Sequence, residues 1–144
     1  MQTFSKTISV VLFLFFSITT YGTDLFVYPN AQGSDFDNIQ SAIDAASDGD
    51  HIYIDTFTYV GNVVIDKPLS LYPLQKGGMY TINGSLTLQI QSQEKMYIQG
   101  LNGGSLSAGG SSVNDTASII LNGCYFSSNV YLNLYYRGGP YAYQ

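Results

Sequence analysis

Ile82-Asn83-Gly84-Ser85-Leu86-Thr87-Leu88 is the stretch on which the fold turns, because it returns twice in altered form. Leu101-Asn102-Gly103 leads into Ser105-Leu106-Ser107, and Leu121-Asn122-Gly123 leads into Cys124-Tyr125-Phe126. The steps are 19 and 20 residues, and Asn62 stands 21 before Asn83. A near-constant period of about 20 residues marks stacked supersecondary units. With several short strands per repeat and no helix in any of them, the unit is a β-helix coil. Asn62, Asn83, Asn102 and Asn122 have a structural role in such a stack. Asparagine tolerates left-handed backbone angles, and amides at the same place in successive coils can bond to one another. Asn-Gly pairs also mark hairpin turns in an antiparallel meander. Hairpins do not ordinarily keep one spacing together with an aliphatic residue before each Asn.

Outward from that repeat the chain keeps a period of two from His51 onward. Ile52 and Ile54 flank Tyr53, Val63 and Ile65 flank Val64, and Leu69 and Leu71 flank Ser70. Leu86, Leu88 and Ile90 follow, then Met96 and Ile98, then Val130, Leu132 and Leu134. Such alternation, broken by Gly, Asn and Ser, predicts strands with one face inward. Upstream, Leu25-Phe26-Val27-Tyr28 reads as a short strand closed by Pro29. The one helical pattern comes next, over about 35–48. Phe36, Ile39, Ala42, Ile43 and Ala46 recur at three- and four-residue steps. Ser34 and Asp37 make a capping-box pattern, Asp35 suits the first turn, and Gly49 is a natural stop. The predicted fold is all-β: a parallel β-helix of about four coils over residues 23–136, closed at its start by one amphipathic helix. Residues 137–144, rich in Gly, Pro and Tyr, are expected to form a flexible tail.

The segments Asp35 to Ala46, Gly49 to Ile54, Thr58 to Ile65 and Leu69 to Tyr72 together resemble the opening of pectin-lyase-like right-handed parallel β-helix proteins. The resemblance covers roughly residues 25 to 75; residues 76 to 136 match only as generic coils. It implies a right-handed β-solenoid whose helix caps the N-terminal end. Enzymes and non-enzymes of that superfamily share this opening, so it leaves activity open. Pectate lyases use clustered aspartates for calcium and a basic residue as proton acceptor. The late coils here hold only Glu94, Lys95, Asp115 and Arg137. Pectin methylesterases are similar at Tyr59 to Ile65 but need two aspartates and an arginine from later coils. Polygalacturonases need an Asn-Thr-Asp segment, whereas Asn114-Asp115-Thr116 has another order.

Composition narrows the rest. Ten acids against five bases give a formal charge of −5, a poor basis for binding phosphate backbones, so nucleic acid is not an expected partner. The single cysteine, Cys124, excludes an intrachain disulfide and a Cys-rich zinc site. No metal or other cofactor is expected. Lys6 precedes the apolar run Ile8 to Ile18, which is too short for a bilayer span and fits a secretory leader. Thr20 and Gly22 place small residues for cleavage before Thr23, so residues 1–22 are expected to be removed and the protein secreted to the extracellular space. Asn83 and Asn114 head glycosylation sequons.

Residue by residue, the chemistry is sparse. Carboxylate-pair catalysis needs two acids within about 5–10 Å, and no pair suggests itself. His51, Asp55, Asp66 and Lys67 read as solvated groups at strand ends, and Cys124 as a small interior residue. Strand alternation points Tyr53, Tyr97, Tyr125 and Tyr131 outward. A row of aromatic rings can take a sugar or a protein surface, although tyrosine is also common on sheets for its strand propensity alone. The readings left open are three. One is a secreted non-catalytic module binding a polysaccharide, a cell-surface glycan or another partner. The second is a fragment or inactive relative of a polysaccharide-degrading enzyme. The third is a structural segment of an adhesin-like protein. In each case an uncovered C-terminal end would favour end-to-end self-association.

Overall fold

Alternation along each strand does determine what is buried. The structure, a computed structural model, describes residues 22–30, 36–90, 95–110 and 118–133. Its strands are β1 (Asp24–Val27), β2 (His51–Ile54), β3 (Thr58–Val60), β4 (Val63–Ile65), β5 (Ser70–Pro73), β6 (Tyr80–Ile90), β7 (Lys95–Gln99), β8 (Leu101–Gly110), β9 (Ser118–Asn122), β10 (Tyr125–Phe126) and β11 (Val130–Asn133). The single helix, α1 (Ile39–Ala45), lies between β1 and β2. The first sheet runs β1-β2-β5-β7-β9. The second runs β3-β6-β8-β10, with β4 also on β6 and β11 also on β8. Neighbouring strands in both sheets are parallel, which makes a β-solenoid of about four turns.

The interior is built of columns, one residue per coil. Ile52, Leu71 and Ile98 stack in the first sheet, continued by Leu121. Val63, Leu86 and Leu106 stack in the second, continued by Val130. Ile65, Leu88 and Ala108 make a third column, continued by Leu132. The first three members of each column are almost fully buried. Removing that apolar area from water is the main term that holds the coils together. Tyr59 reaches across the interior, its hydroxyl donating to the carbonyl of Val27 at 3.3 Å.

The helix is shorter than its apolar pattern predicts. Its cap is Asn38, whose side-chain oxygen accepts from the Ser41 N–H at 2.8 Å, with Asn38 itself extended at φ −142 and ψ 155. With the extended Asn38 as its cap, the helix begins only at Ile39, three residues after Phe36, which instead bridges to Val27 as a strand residue. Ser34 and Asp35, expected at the helix start, lie outside the described residues. The other end stops at Ala45, before Gly49, which sits in the following turn at φ +85. The predicted apolar face is nevertheless the one buried: Ile39, Ala42, Ile43 and Ala46 lie on the start of the stack. Gln40 clamps the helix to β4, accepting from the Val64 N–H at 2.8 Å and donating to the Val64 carbonyl at 3.2 Å. Lys67, expected to be solvated, donates to the carbonyls of Ile43 and Ala46 at 3.0 Å each, completing the helix end.

Coil length is uneven. Register partners in the first sheet lie between 19 and 27 residues apart, and in the second between 20 and 24. The 20-residue Asn-Gly step therefore drifts against the coils. Asn83 stands in register with Val60, Asn102 with Thr81 and Tyr125, and Asn122 with Gln99 in the other sheet. Asn62 accepts from the Ser85 N–H at 3.0 Å, a bond from one coil to the next made to backbone and not to another asparagine. What stacks at this corner is glycine. A side chain at Gly84 would collide with the carbonyl of Gly61, and one at Gly104 would come within 2.6 Å of the carbonyl of Gly84.

Candidate binding surface on the outer face of the first sheet

The first sheet turns its alternate set of side chains outward, and an aromatic ring stands among them in each of β1, β2, β5 and β7. In β2, inward Ile52 and Ile54 leave His51 and Tyr53 outside; in β5, inward Leu71 leaves Ser70 and Tyr72; in β7, inward Met96 and Ile98 leave Tyr97 and Gln99. Register then brings Phe26, Tyr53 and Tyr72 into one line across β1, β2 and β5. Their ring centroids lie 5.6 and 5.5 Å apart with interplanar angles of 21° and 25°. Tyr97 pairs with Ser70, two residues off that line, and its ring tilts 37° against Tyr72 at 5.2 Å. Tyr28, just past the end of β1, stands beside Phe26 in the same coil, 6.4 Å away. Phe26, Tyr53, Tyr72 and Tyr97 thus form a half-buried file from coil to coil along the solenoid axis, with Tyr28 beside its first ring.

Ring geometry determines what this file can offer. Near-parallel neighbours cover one another's faces, so the middle rings present edges and hydroxyls outward. Polar groups flank them. His51 places Nδ1 3.2 Å from Oδ1 of Asp24 and meets Tyr72 edge-on at 5.9 Å. The amide of Asn122 donates to the Tyr97 hydroxyl at 2.9 Å, and that hydroxyl donates to Gln99 Oε1 at 3.4 Å. Desolvation, then the nearby carboxylate of Asp24, then Tyr72, raise the Tyr53 pKa above its ordinary value. Tyr53 is therefore a neutral hydroxyl, able to donate, throughout the physiological range.

The four tyrosines singled out by sequence divide between two places. Tyr53 and Tyr97 belong to the file. Tyr125 and Tyr131 lie on β10 and β11, in the last coil of the second sheet, each 62% exposed, and Tyr131 accepts from the Asn129 amide at 2.9 Å. Alternation alone missed Phe26, Tyr72 and His51 as members of the site, although Tyr72 carries the same outward phase as Ser70. The missing signal is which outward residues of different coils meet. Cys124 is half-buried, its thiol donating to the Ile98 carbonyl one coil back at 3.3 Å. Asp55 accepts from the Thr56 N–H at 2.8 Å in a local turn. Glu94, Asp115, Arg137 and Asn114 lie outside the described residues, as do the leader to residue 21, the tail and Leu134. Among the described residues no group of three His, Cys, Asp or Glu side chains converges as for a metal ion. No helix among them is long and apolar enough to cross a membrane. No known protein family, curated protein or solved structure matches the chain.

Proposed function

We propose that this is a secreted, non-catalytic β-helix module that binds a polysaccharide or cell-surface glycan on the outer face of its first sheet. The observation that carries this reading is the file of Phe26, Tyr53, Tyr72 and Tyr97, with Tyr28 beside its first ring. A ligand with one hydroxyl-bearing unit per coil could lie along it, exchanging hydrogen bonds with phenol hydroxyls and resting its C–H surface on ring edges. Asp24 at the flank and the net charge of −5 favour a neutral glycan over polygalacturonate, which would need bridging calcium. The resemblance of residues 25 to 75 to pectin-lyase-like proteins supports a carbohydrate-associated role in general terms. The test is a glycan array followed by calorimetry on any hit. Tyr53→Ala with Tyr72→Ala should weaken binding at least about tenfold, the scale of one or two lost aromatic contacts. Tyr125→Ala should leave it unchanged. Absence of any glycan hit, or indifference to the double variant, would sink the reading. Release of unsaturated or reducing ends from pectin would replace it with the enzyme reading.

A second reading rests on the last coil. Leu121, Val130 and Leu132 continue interior columns yet stand 38%, 47% and 55% exposed. Residues 118–133 hold no charged side chain. Apolar columns ending in an uncharged strand edge recruit other chains, and we propose that two copies associate through this end.

A further inference from the structure

Asp50 is the one buried charged residue among those described, 6% exposed, and the binding surface does not use it. Both its oxygens accept from backbone: Oδ1 from the Thr23 N–H at 2.6 Å and Oδ2 from the Ser47 N–H at 2.7 Å. One carboxylate thus ties the residue ahead of β1 to the turn that leaves α1. Thr23 is held on its other side as well, its carbonyl accepting from the His51 N–H at 2.9 Å. A side chain at Gly22, the residue before it, would collide with the Gly49 carbonyl. A buried carboxylate compensated by two neutral amide dipoles is under-satisfied compared with one that has a cation. The sequence places leader cleavage at the Gly22–Thr23 bond, where the structure has the amide that touches Asp50.

We propose that Asp50 is the receptor for the α-ammonium of Thr23 that cleavage creates, so that removal of the leader locks the capped end of the solenoid. The proposal rests on the secretion reading above. In the step, a signal peptidase adds water across the Gly22–Thr23 peptide bond. The hydroxyl goes to the Gly22 carbonyl carbon, a proton goes to the Thr23 nitrogen, and the free amine takes a second proton from solvent at neutral pH. A single amide donor then becomes a cation with three, facing a carboxylate already in place. The other titratable groups nearby are Asp24 and His51, paired across β1 and β2, Asp48 in the same turn, and Lys67, held on the carbonyls of Ile43 and Ala46. An ammonium that gains a partner on folding titrates above the ~7.7–8.0 of a free α-amino group. Its stabilisation is complete below that range and is lost as pH rises through the higher folded value.

The experiment compares two proteins recovered from a secreting host: the natural chain, and one with a serine inserted between Gly22 and Thr23, which displaces the ammonium by one residue. Intact mass fixes both N-termini. A natural product that does not begin at Thr23 overturns the cleavage reading and the proposal with it. Given a Thr23 terminus, the natural protein should melt several degrees higher at pH 6–7, with the gap closing between pH 8 and 10. Asp50→Asn should abolish the gap. Equal melting temperatures with parallel pH profiles would overturn the Asp50 assignment while leaving secretion intact.

Discussion

Two tyrosines show how position alters one residue type. Tyr59 reaches the interior from β3, where burial and then Asp55 push its pKa up to about 12. Tyr80, at the start of β6, is fully buried, and its hydroxyl has no hydrogen-bond partner among the described residues. Desolvation is the first cause of its strongly raised pKa, with Cys124 second. Both groups ionise near 10 in the unfolded chain and later in the folded one. A raised folded value means stability that is intact below pH 10 and falls as pH climbs toward 12. The urea midpoint should therefore drop steeply between pH 10 and 11.5, and Tyr59→Phe should flatten that drop. A midpoint independent of pH over this range would contradict the burial of both hydroxyls. Tyr80→Phe, which removes an unpaired buried hydroxyl, should leave stability at neutral pH unchanged or higher by up to about 1 kcal/mol.

At the scale of elements, the helix and the glycine corner carry the predictions. Ile43 is wholly buried where α1 meets β1, β2 and β4, so Ile43→Asp sets a carboxylate against the end of the apolar columns. The expected loss is about 3–5 kcal/mol, combining lost burial with an unpaired charge, and equilibrium unfolding in urea would measure it. Gln40 and Lys67 hold the same helix by polar contacts at its edge. Their removal should cost less, on the order of 1 kcal/mol each, since both sites admit water. The corner behaves differently. Gly84 has ordinary backbone angles, and only the approach of Gly61 forbids a side chain. Gly84→Ala must push two coils apart at a hydrogen-bonded register and should cost about 2–4 kcal/mol. Asn83→Ala, exposed and in register with Val60, should be nearly silent by the same assay.

For the whole molecule, the two ends of the solenoid are unlike. The α1 end is closed and carries most of the acidic residues, with eight of ten acids between Asp24 and Asp66. Among the described residues, the β9–β11 end holds no charged side chain and exposes Leu121, Val130 and Leu132. Contact between copies through that end alone is isologous and stops at two, whereas contact between opposite ends would grow without limit. Light scattering at micromolar concentration is expected to give a dimer and no ladder of larger species. Val130→Lys, which sets two like charges against each other across the two-fold, should give a monomer with an unchanged circular dichroism spectrum. A wild-type monomer at these concentrations would rule the association out.

What the sequence determined by itself is what local physics determines. A period of two sorts side chains into inward and outward sets without reference to any other strand, and this made Ile52, Leu71, Leu86 and Ile98 legible as core. A period near 3.6 did the same for Ile39, Ala42 and Ile43, and the repeated short strands were enough for a solenoid capped by one helix. The boundaries of α1 were less legible, because Asn38 wins the cap only once Phe36 is drawn into a bridge with Val27. Register was decided by the tertiary structure alone. Coils of 19 to 27 residues absorb their differences in turns, so a fixed sequence step does not say which residues meet. Hence Asn62, Asn83, Asn102 and Asn122 drift apart while Gly61, Gly84 and Gly104 stack, and Tyr72 and Phe26 join Tyr53 while Tyr125 and Tyr131 do not. Asp50 is the same case: Ser47 lies in its own turn, but Thr23, 27 residues away, is brought to it only when the first coil closes.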